Sequence, residues 1–142
     1  MTKYNIGCGV NRKDYPEYEG VDKIDFGQKW VGDIRGWDAM AEAETCDGIM
    51  AYHFLEHLTN KEALKFIHNC WVVLKPGATL KMMVPSIANP GAWALTHKSY
   101  YSEDTFRMFT TPVFVSEAKT DPWTIKELVT TSRNVIYVEF QK

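Results

Sequence analysis

The sequence lacks long apolar runs and clustered basic residues. No stretch approaches the roughly 18 consecutive apolar residues that span a bilayer, and residues 1–5 contain one lysine and none of the apolar core of a signal peptide. The 16 Lys and Arg residues are scattered and the net charge is −2, whereas nucleic-acid binding needs clustered positive charge. We therefore expect neither a membrane nor a nucleic acid as partner.

Cysteine is also scarce. Cys8, Cys46 and Cys70 lie far apart and form no C-x-x-C pair. An odd, dispersed set of this kind indicates reduced thiols, and hence a cytoplasmic location. The 142 residues fit a single domain over 1–142, which is long enough to bury about two thirds of its unfolded surface without a disulfide.

Strand-like and helix-like segments alternate along the chain. Thr59 and Glu62 form a T-x-x-E capping box ahead of apolar residues at helical spacing, and Pro76-Gly77 is expected to end that helix. Ser102 is expected to cap a short helix that extends through Phe109. The predicted strands cover 3–6, 18–24, 30–34, 47–52, 79–84, 124–130 and 135–140. This order predicts an α/β sandwich around a mostly parallel sheet with a C-terminal antiparallel hairpin, while the strand order stays open.

A glycine turn, Gly7-Cys8-Gly9, follows the first predicted strand. Glycine lets backbone come close to a ligand, and ligands of open α/β sheets lie at the carboxyl ends of the strands. Asp22 ends the next strand, where a carboxylate accepts from a ribose diol, but position 12 is Arg12 instead of the third glycine of a dinucleotide fingerprint. The pattern disfavours a pyrophosphate and is compatible with a nucleoside; a plain structural turn is the alternative.

Several loose motifs occur in order: NIGCG, GVD, GDIR, CDGIMAYHFLEHL, WVVLKPGATLKMMVPS and ANPGAWALTHKSYYSEDTF. Together they resemble the class I S-adenosylmethionine-dependent methyltransferases, closest to the short family with motifs like S-H-x-L-E-H and L-K-P-G-G. The resemblance covers about residues 4–109 and implies a Rossmann-like three-layer sandwich. The sequence departs from the family pattern in its reduced N-terminus, where the helix normally found before the first strand is missing. It implies S-adenosyl-L-methionine as cofactor and methyl transfer to a small-molecule or sugar-like acceptor. The segment between Gly9 and Asp22 is short for this family, so its helix is expected to be a single turn or absent.

The resemblance also implies a cofactor site. Its members are Gly7, Cys8 and Gly9 beneath the methionine part, Asp22 at the ribose hydroxyls with its neighbour Lys23, Asp33 and Ile34 around the adenine, and Tyr52 and His53 facing the sulfonium and its methyl group. A homodimer is compatible with so small a fold with an exposed cleft, since a neighbouring subunit would cover the methionine end.

Three residues are candidates for catalysis. His53 leaves the fourth predicted strand, and a histidine with a pKa near neutrality takes a proton from an acceptor hydroxyl or amine. His97 and Tyr100 lie in the loop after the fifth strand, where they orient or deprotonate an acceptor against Trp93 as a wall. The alternatives are that His53 only contacts cofactor, and that the loop aromatics dock on the core.

Two other functions remain open. One is a module that binds S-adenosylmethionine, S-adenosylhomocysteine or a protein partner without methyl transfer. The other is a zinc hydrolase, because His53-Phe54-Leu55-Glu56-His57 matches the H-x-x-E-H zinc signature. That signature needs a helix through the motif and a third ligand, whereas the capped helix begins only near Thr59. We therefore predict no metal site from the sequence.

Overall fold

Seven strands form one sheet in the computed structural model, which describes residues 1–25, 27–34 and 42–142, with the side chains of positions 11 and 12 outside that description. The strands are β1 (Lys3–Ile6), β2 (Glu19–Asp22), β3 (Trp30–Val31), β4 (Cys46–Tyr52), β5 (Leu74–Pro85), β6 (Thr124–Thr130) and β7 (Val135–Gln141). Their order across the sheet is β3-β2-β1-β4-β5-β7-β6.

The sheet is mostly parallel. Strands β1 to β5 pair in parallel, and β7 lies antiparallel between β5 and β6. The α/β class and the antiparallel C-terminal hairpin are thereby confirmed. The strand order reverses direction between β1 and β4, and in open α/β sheets such a switch point is where a ligand crevice forms.

Three α-helices accompany the sheet in the described part of the chain: α1 (Asn60–Val73), α2 (Glu103–Arg107) and α3 (Pro112–Ala118). The predicted capping box starts α1: the Thr59 hydroxyl accepts from the Glu62 amide at 3.2 Å, and the Glu62 carboxylate accepts from the Thr59 amide at 2.8 Å. Short 3₁₀ turns cover Gly9–Asp14, Leu55–His57, Pro90–Trp93 and Met108–Thr110. Between Gly9 and Asp22 the structure has only the 3₁₀ helix Gly9–Asp14 and no α-helix, in line with the short length of that segment. Among the described residues, no helix combines the length and apolar character that crossing a bilayer requires.

Some predicted boundaries were wrong. Helix α1 ends at Val73 and not at Pro76-Gly77, because Leu74 already pairs with Cys46 as the start of β5. The third strand is limited to Trp30–Val31. The helix capped by Ser102 ends at Arg107 and continues as a 3₁₀ turn. Helix α3 was not predicted.

Fully buried and half-buried side chains alternate along β7. Ile136, Val138 and Phe140 of β7 are fully buried, while the intervening side chains are only half-buried. Trp123 stacks on Phe140 with ring centroids 5.4 Å apart, and Phe106 meets the same ring at 6.2 Å. Burying one face in this way fixes the register of the sheet, since a slip by one residue would expose the whole apolar set.

Candidate functional site

A cleft of about 510 Å³ opens at the carboxyl ends of the parallel strands. Its volume lies in the range of about 300–1,000 Å³ that is usual for small-molecule sites. It is lined by residues that follow or end β1, β2, β3 and β4, by the start of α1 and by the loop after β5: Gly7, Val21, Asp22, Lys23, Gly32, Asp33, Ile34, His53, Phe54, His57, Leu58, Glu62, Thr96 and Lys98.

Of the glycine turn, Gly7 lines the cleft, whereas Gly9 does not. Gly7 and Gly9 have φ of +65° and +52°, the left-handed region that side chains disfavour. The Gly7 amide donates to the carbonyl of Val21 at 2.8 Å, and a Cβ at Gly7 would lie 2.6 Å from the Phe54 ring. Position 7 therefore requires glycine for both its backbone conformation and its space.

Asp22 joins this turn to the end of β2. Its Oδ2 accepts from the Gly9 amide at 2.9 Å, and its Oδ1 accepts from the Ile24 amide at 3.1 Å. An ionised carboxylate has about four lone-pair sites, so these two bonds orient the group and leave capacity for a ligand. The glycine turn and the carboxylate at position 22 thus converge on one cleft.

The predicted adenine segment lies beside it. The Gly32 amide donates to the Asp22 carbonyl at 2.9 Å, which fixes the segment against β2. Asp33, Ile34 and Lys23 line the same cleft. Arg35, the last residue of the GDIR motif, lies outside the described residues.

His53 lines the cleft at the end of β4. Its φ is +53°, and its amide donates to the Met83 carbonyl at 2.8 Å, which holds this unusual conformation in place. Its Nδ1 lies 3.5 Å from the Glu56 carboxylate. That hydrogen bond raises the pKa of His53, and partial burial of the ring opposes the rise. Of the three predicted catalytic residues, His53 is the one that lines the cleft.

Other predicted site residues lie next to the cleft and do not line it. The Cys8 side chain is buried against Gly20, where an added Cβ would lie 2.9 Å from its sulfur. The Tyr52 ring makes edge contacts with Tyr15 at 5.8 Å and Tyr137 at 6.3 Å. Burial raises the pKa of the Tyr52 hydroxyl to about 12. The cleft therefore receives no side chain from Cys8 or Tyr52.

The loop after β5 reaches the cleft, but through neighbours of the predicted residues. Thr96 and Lys98 line it, whereas His97 and Tyr100 do not. The His97 ring packs edge-on against His57 at 4.8 Å. Tyr100 stacks on Trp93 at 4.6 Å, and both side chains are about half exposed. The loop therefore presents an aromatic pair to solvent and two polar side chains to the cleft.

The H-x-x-E-H string does not form the helix that the zinc signature requires. Leu55–His57 is a single 3₁₀ turn, and His53 precedes it with a positive φ. His53 and His57 consequently do not lie at i and i+4 of one α-helix. The geometry of a zinc hydrolase of that class is absent from this part of the described chain.

Several lining residues were not predicted from the sequence, among them Phe54, Leu58 and Glu62. Phe54 looks like an ordinary core residue in sequence, and its role appears only where its ring packs against Gly7. Glu62 was assigned to the capping box alone. Lys98 could have been predicted, because it follows His97 in the loop that was already expected to contact an acceptor.

A second concavity, of about 580 Å³, lies between α1 and α3 and is lined by side chains such as Lys61, His68 and Glu117. It is larger, but none of the described residues at the carboxyl ends of the parallel strands lines it. Neither the glycine turn nor the oriented carboxylate contributes to it. We therefore regard the smaller cleft as the candidate site.

Solved structures of S-adenosylmethionine-dependent methyltransferases share the fold. A methyltransferase from Archaeoglobus fulgidus superposes with a TM-score of 0.72 at 14% identity, covering 100% of this chain and 86% of that one. One from Aquifex aeolicus gives a TM-score of 0.67 at 15% identity, covering 99% and 81%. The fold implied by the sequence motifs is thereby confirmed.

A larger enzyme also matches. An O-methyltransferase family 2 protein from Planctomyces limnophilus, solved in complex with apigenin, gives a TM-score of 0.66 at 15% identity. This chain is covered to 99% but spans only 50% of that protein. No protein-family model matches the sequence, and no curated protein is significantly similar to it.

Proposed function

We propose that the chain binds S-adenosyl-L-methionine and transfers its methyl group to a small-molecule or sugar-like acceptor. One observation carries the proposal: the Asp22 carboxylate is held by the Gly9 amide at 2.9 Å on the wall of the cleft. A carboxylate oriented in this way beside a glycine turn suits a ribose diol. The fold that the chain shares with S-adenosylmethionine-dependent methyltransferases supports it.

The other lining residues fit the parts of this cofactor. In our proposal Asp22 accepts from the ribose hydroxyls, and Asp33 and Ile34 flank the adenine. The backbone of the glycine turn lies beneath the methionine part. His53, at the end of β4, faces the sulfonium through its position on the cleft wall.

For methyl transfer the protein mainly has to align the methyl donor with the acceptor. Methyl transfer from a sulfonium is an in-line displacement in which the acceptor atom bonds to the methyl carbon while the carbon–sulfur bond breaks. Holding the two partners in line supplies roughly 7–11 kcal/mol of the barrier. A base contributes about 10²- to 10⁴-fold when the acceptor arrives protonated, and His53 is the candidate for it.

Calorimetric titration with S-adenosylmethionine and S-adenosylhomocysteine tests the binding. Asp22→Ala is expected to weaken both ligands about 10- to 100-fold, because hydrogen bonds to a charged group contribute about 1.5–3 kcal/mol each. Asp121→Ala is the matched control, since Asp121 is exposed and does not line the cleft. Asp22→Asn separates the loss of charge from a rearranged turn.

Two outcomes would contradict parts of the proposal. No saturable binding of either ligand by the folded wild-type chain would remove it altogether. Binding without formation of S-adenosylhomocysteine across a broad panel of acceptors would leave the second function, a binding module without methyl transfer.

A further inference from the structure

Three metal-ligating side chains from two separate segments converge beside the cleft. Glu56 and His57 belong to the 3₁₀ turn after β4, and His97 belongs to the loop after β5. One donor atom from each lies within 4.8 Å of the others. The group includes His97 in place of His53, so it is a different set from the H-x-x-E-H string.

Glu56 supplies a buried carboxylate that its surroundings only partly satisfy. The residue is 2% exposed, and its Oε2 has no hydrogen-bond partner among the described residues. Its Oε1 faces His53 at 3.5 Å, a long contact. A buried polar atom without a partner is costly, and a buried charge more so. A cation bound at this carboxylate would offset that cost.

His97 is oriented as a ligand. Its Nδ1 lies 3.1 Å from the Ala92 carbonyl. A carbonyl oxygen only accepts hydrogen bonds, so Nδ1 is the donor in this contact and Nε2 is the ring nitrogen left to bind a metal. A histidine that donates one ring N–H to a backbone carbonyl while the other nitrogen binds metal is the usual arrangement around metal ions.

The two segments are fixed to each other by backbone. The Lys98 amide donates to the Glu56 carbonyl at 2.7 Å, and the Ser99 hydroxyl donates to the Leu55 carbonyl at 3.0 Å. His97 is therefore held next to Glu56 by the same contacts that close the loop. The backbone of the two segments thus already places the three donor atoms within 4.8 Å of one another.

We propose that Glu56, His57 and His97 bind a divalent transition-metal ion of the zinc type. Imidazole and carboxylate donors suit zinc, whereas magnesium and calcium prefer oxygen ligands alone. Ligands of a tetrahedral zinc ion lie about 3.4 Å apart, so side-chain rotation has to close the widest pair by about 1.4 Å at most. Three protein ligands leave one position open, and because His57 lines the cleft, the ion borders it. This site goes beyond the proposed methyl transfer and does not depend on it.

Titration of chelator-treated protein with Zn²⁺ alone, without cofactor, tests the site. We expect one ion per chain by calorimetry and elemental analysis, and Kd at least tenfold higher in His57→Ala and in His97→Ala. His68→Ala is the matched control, because His68 lies on α1 and its ring faces the Lys119 carbonyl at 3.0 Å. Glu56→Gln keeps the shape of the side chain and removes its charge, and it should weaken binding as well. Co²⁺ in place of Zn²⁺ should give a ligand-field absorption that the cluster variants lose.

The proposal is overturned if the wild-type chain binds no stoichiometric Zn²⁺, or if His68→Ala weakens binding as much as His97→Ala does. Thermal unfolding of each variant checks that it is folded, and His97→Gln replaces His97→Ala if the smaller side chain prevents folding. Because no cofactor is present, failure here leaves the binding of S-adenosylmethionine untouched.

Discussion

Gly7 and Gly9 belong to the same turn but are constrained differently. Both have positive φ, but a Cβ at Gly7 would meet the Phe54 ring at 2.6 Å, whereas one at Gly9 would meet nothing within 4 Å. Alanine at Gly9 is expected to cost about 1–2 kcal/mol for the backbone conformation alone. Alanine at Gly7 adds about 1–3 kcal/mol for the steric conflict. Urea denaturation of the two variants measures the difference in the free energy of unfolding.

The two variants control for each other, because both replace a glycine of the same turn with alanine and differ only in the space around the new Cβ. Equal losses at the two positions would mean that the Phe54 ring moves aside freely. A larger loss for Gly9→Ala would contradict the packing described for this turn.

At the level of single residues, a cleft residue could be predicted from the sequence when it lies at the end of a strand. Asp22 ends the strand after the glycine turn, and the carboxyl ends of parallel strands lie at one edge of a sheet. Its place at the same edge as the turn could therefore be predicted, although the strand order could not. The contact of His97 with His57 could not be predicted, because it depends on how the loop after β5 folds back onto the turn at Glu56. No local sequence pattern predicts that this loop folds back onto the turn.

At the level of elements, the start of α1 connects stability to the cleft. The capping box places Glu62 in the first turn, where it bonds to Thr59 and also lines the cleft. Thr59→Ala is expected to lower the free energy of unfolding by about 0.5–2 kcal/mol, because it leaves the Glu62 amide without its cap. Thermal or urea unfolding measures this loss.

Thr59→Ser is the matched control, since serine keeps the hydroxyl that accepts from Glu62. It should retain most of the stability. If serine were as destabilising as alanine, the lost methyl group and not the cap would account for the effect.

Element boundaries were predicted well where the signal was local. The capping residues of α1 and the β6–β7 hairpin are of this kind. The end of α1 was not, because pairing of Leu74 with Cys46 begins β5 ahead of the Pro76-Gly77 signal. Strand pairing thus ends the helix before the local Pro-Gly stop signal is reached. The segment of α3 contains β-branched and aromatic residues that give it little helical preference.

At the level of the whole molecule, residues that end or follow four strands line the cleft. A ligand that fills the cleft therefore contacts all four of these segments. A ligand that binds only the folded chain stabilises it by about 2.7 kcal/mol at 100 times its Kd. For a domain of this size we expect Tm to rise by roughly 5–10 °C. Differential scanning calorimetry with S-adenosylhomocysteine measures the shift.

Asp22→Ala at the same ligand concentration should show a much smaller rise, and Asp121→Ala the full one. An identical rise in all three proteins would place the ligand outside the cleft, for instance in the concavity between α1 and α3.

The position of β7 affects how the chain folds as it is synthesised. β7 pairs with β5 on one side and β6 on the other, although it follows both in sequence. Among the described strands β6 pairs only with β7, so it lacks this partner until residues up to Gln141 have left the ribosome. Translation adds about 5–20 residues per second. During the time that β6 and β7 take to emerge, the edge of β5 that later pairs with β7 remains unpaired. The seven-stranded sheet can therefore be completed only after β7 has left the ribosome.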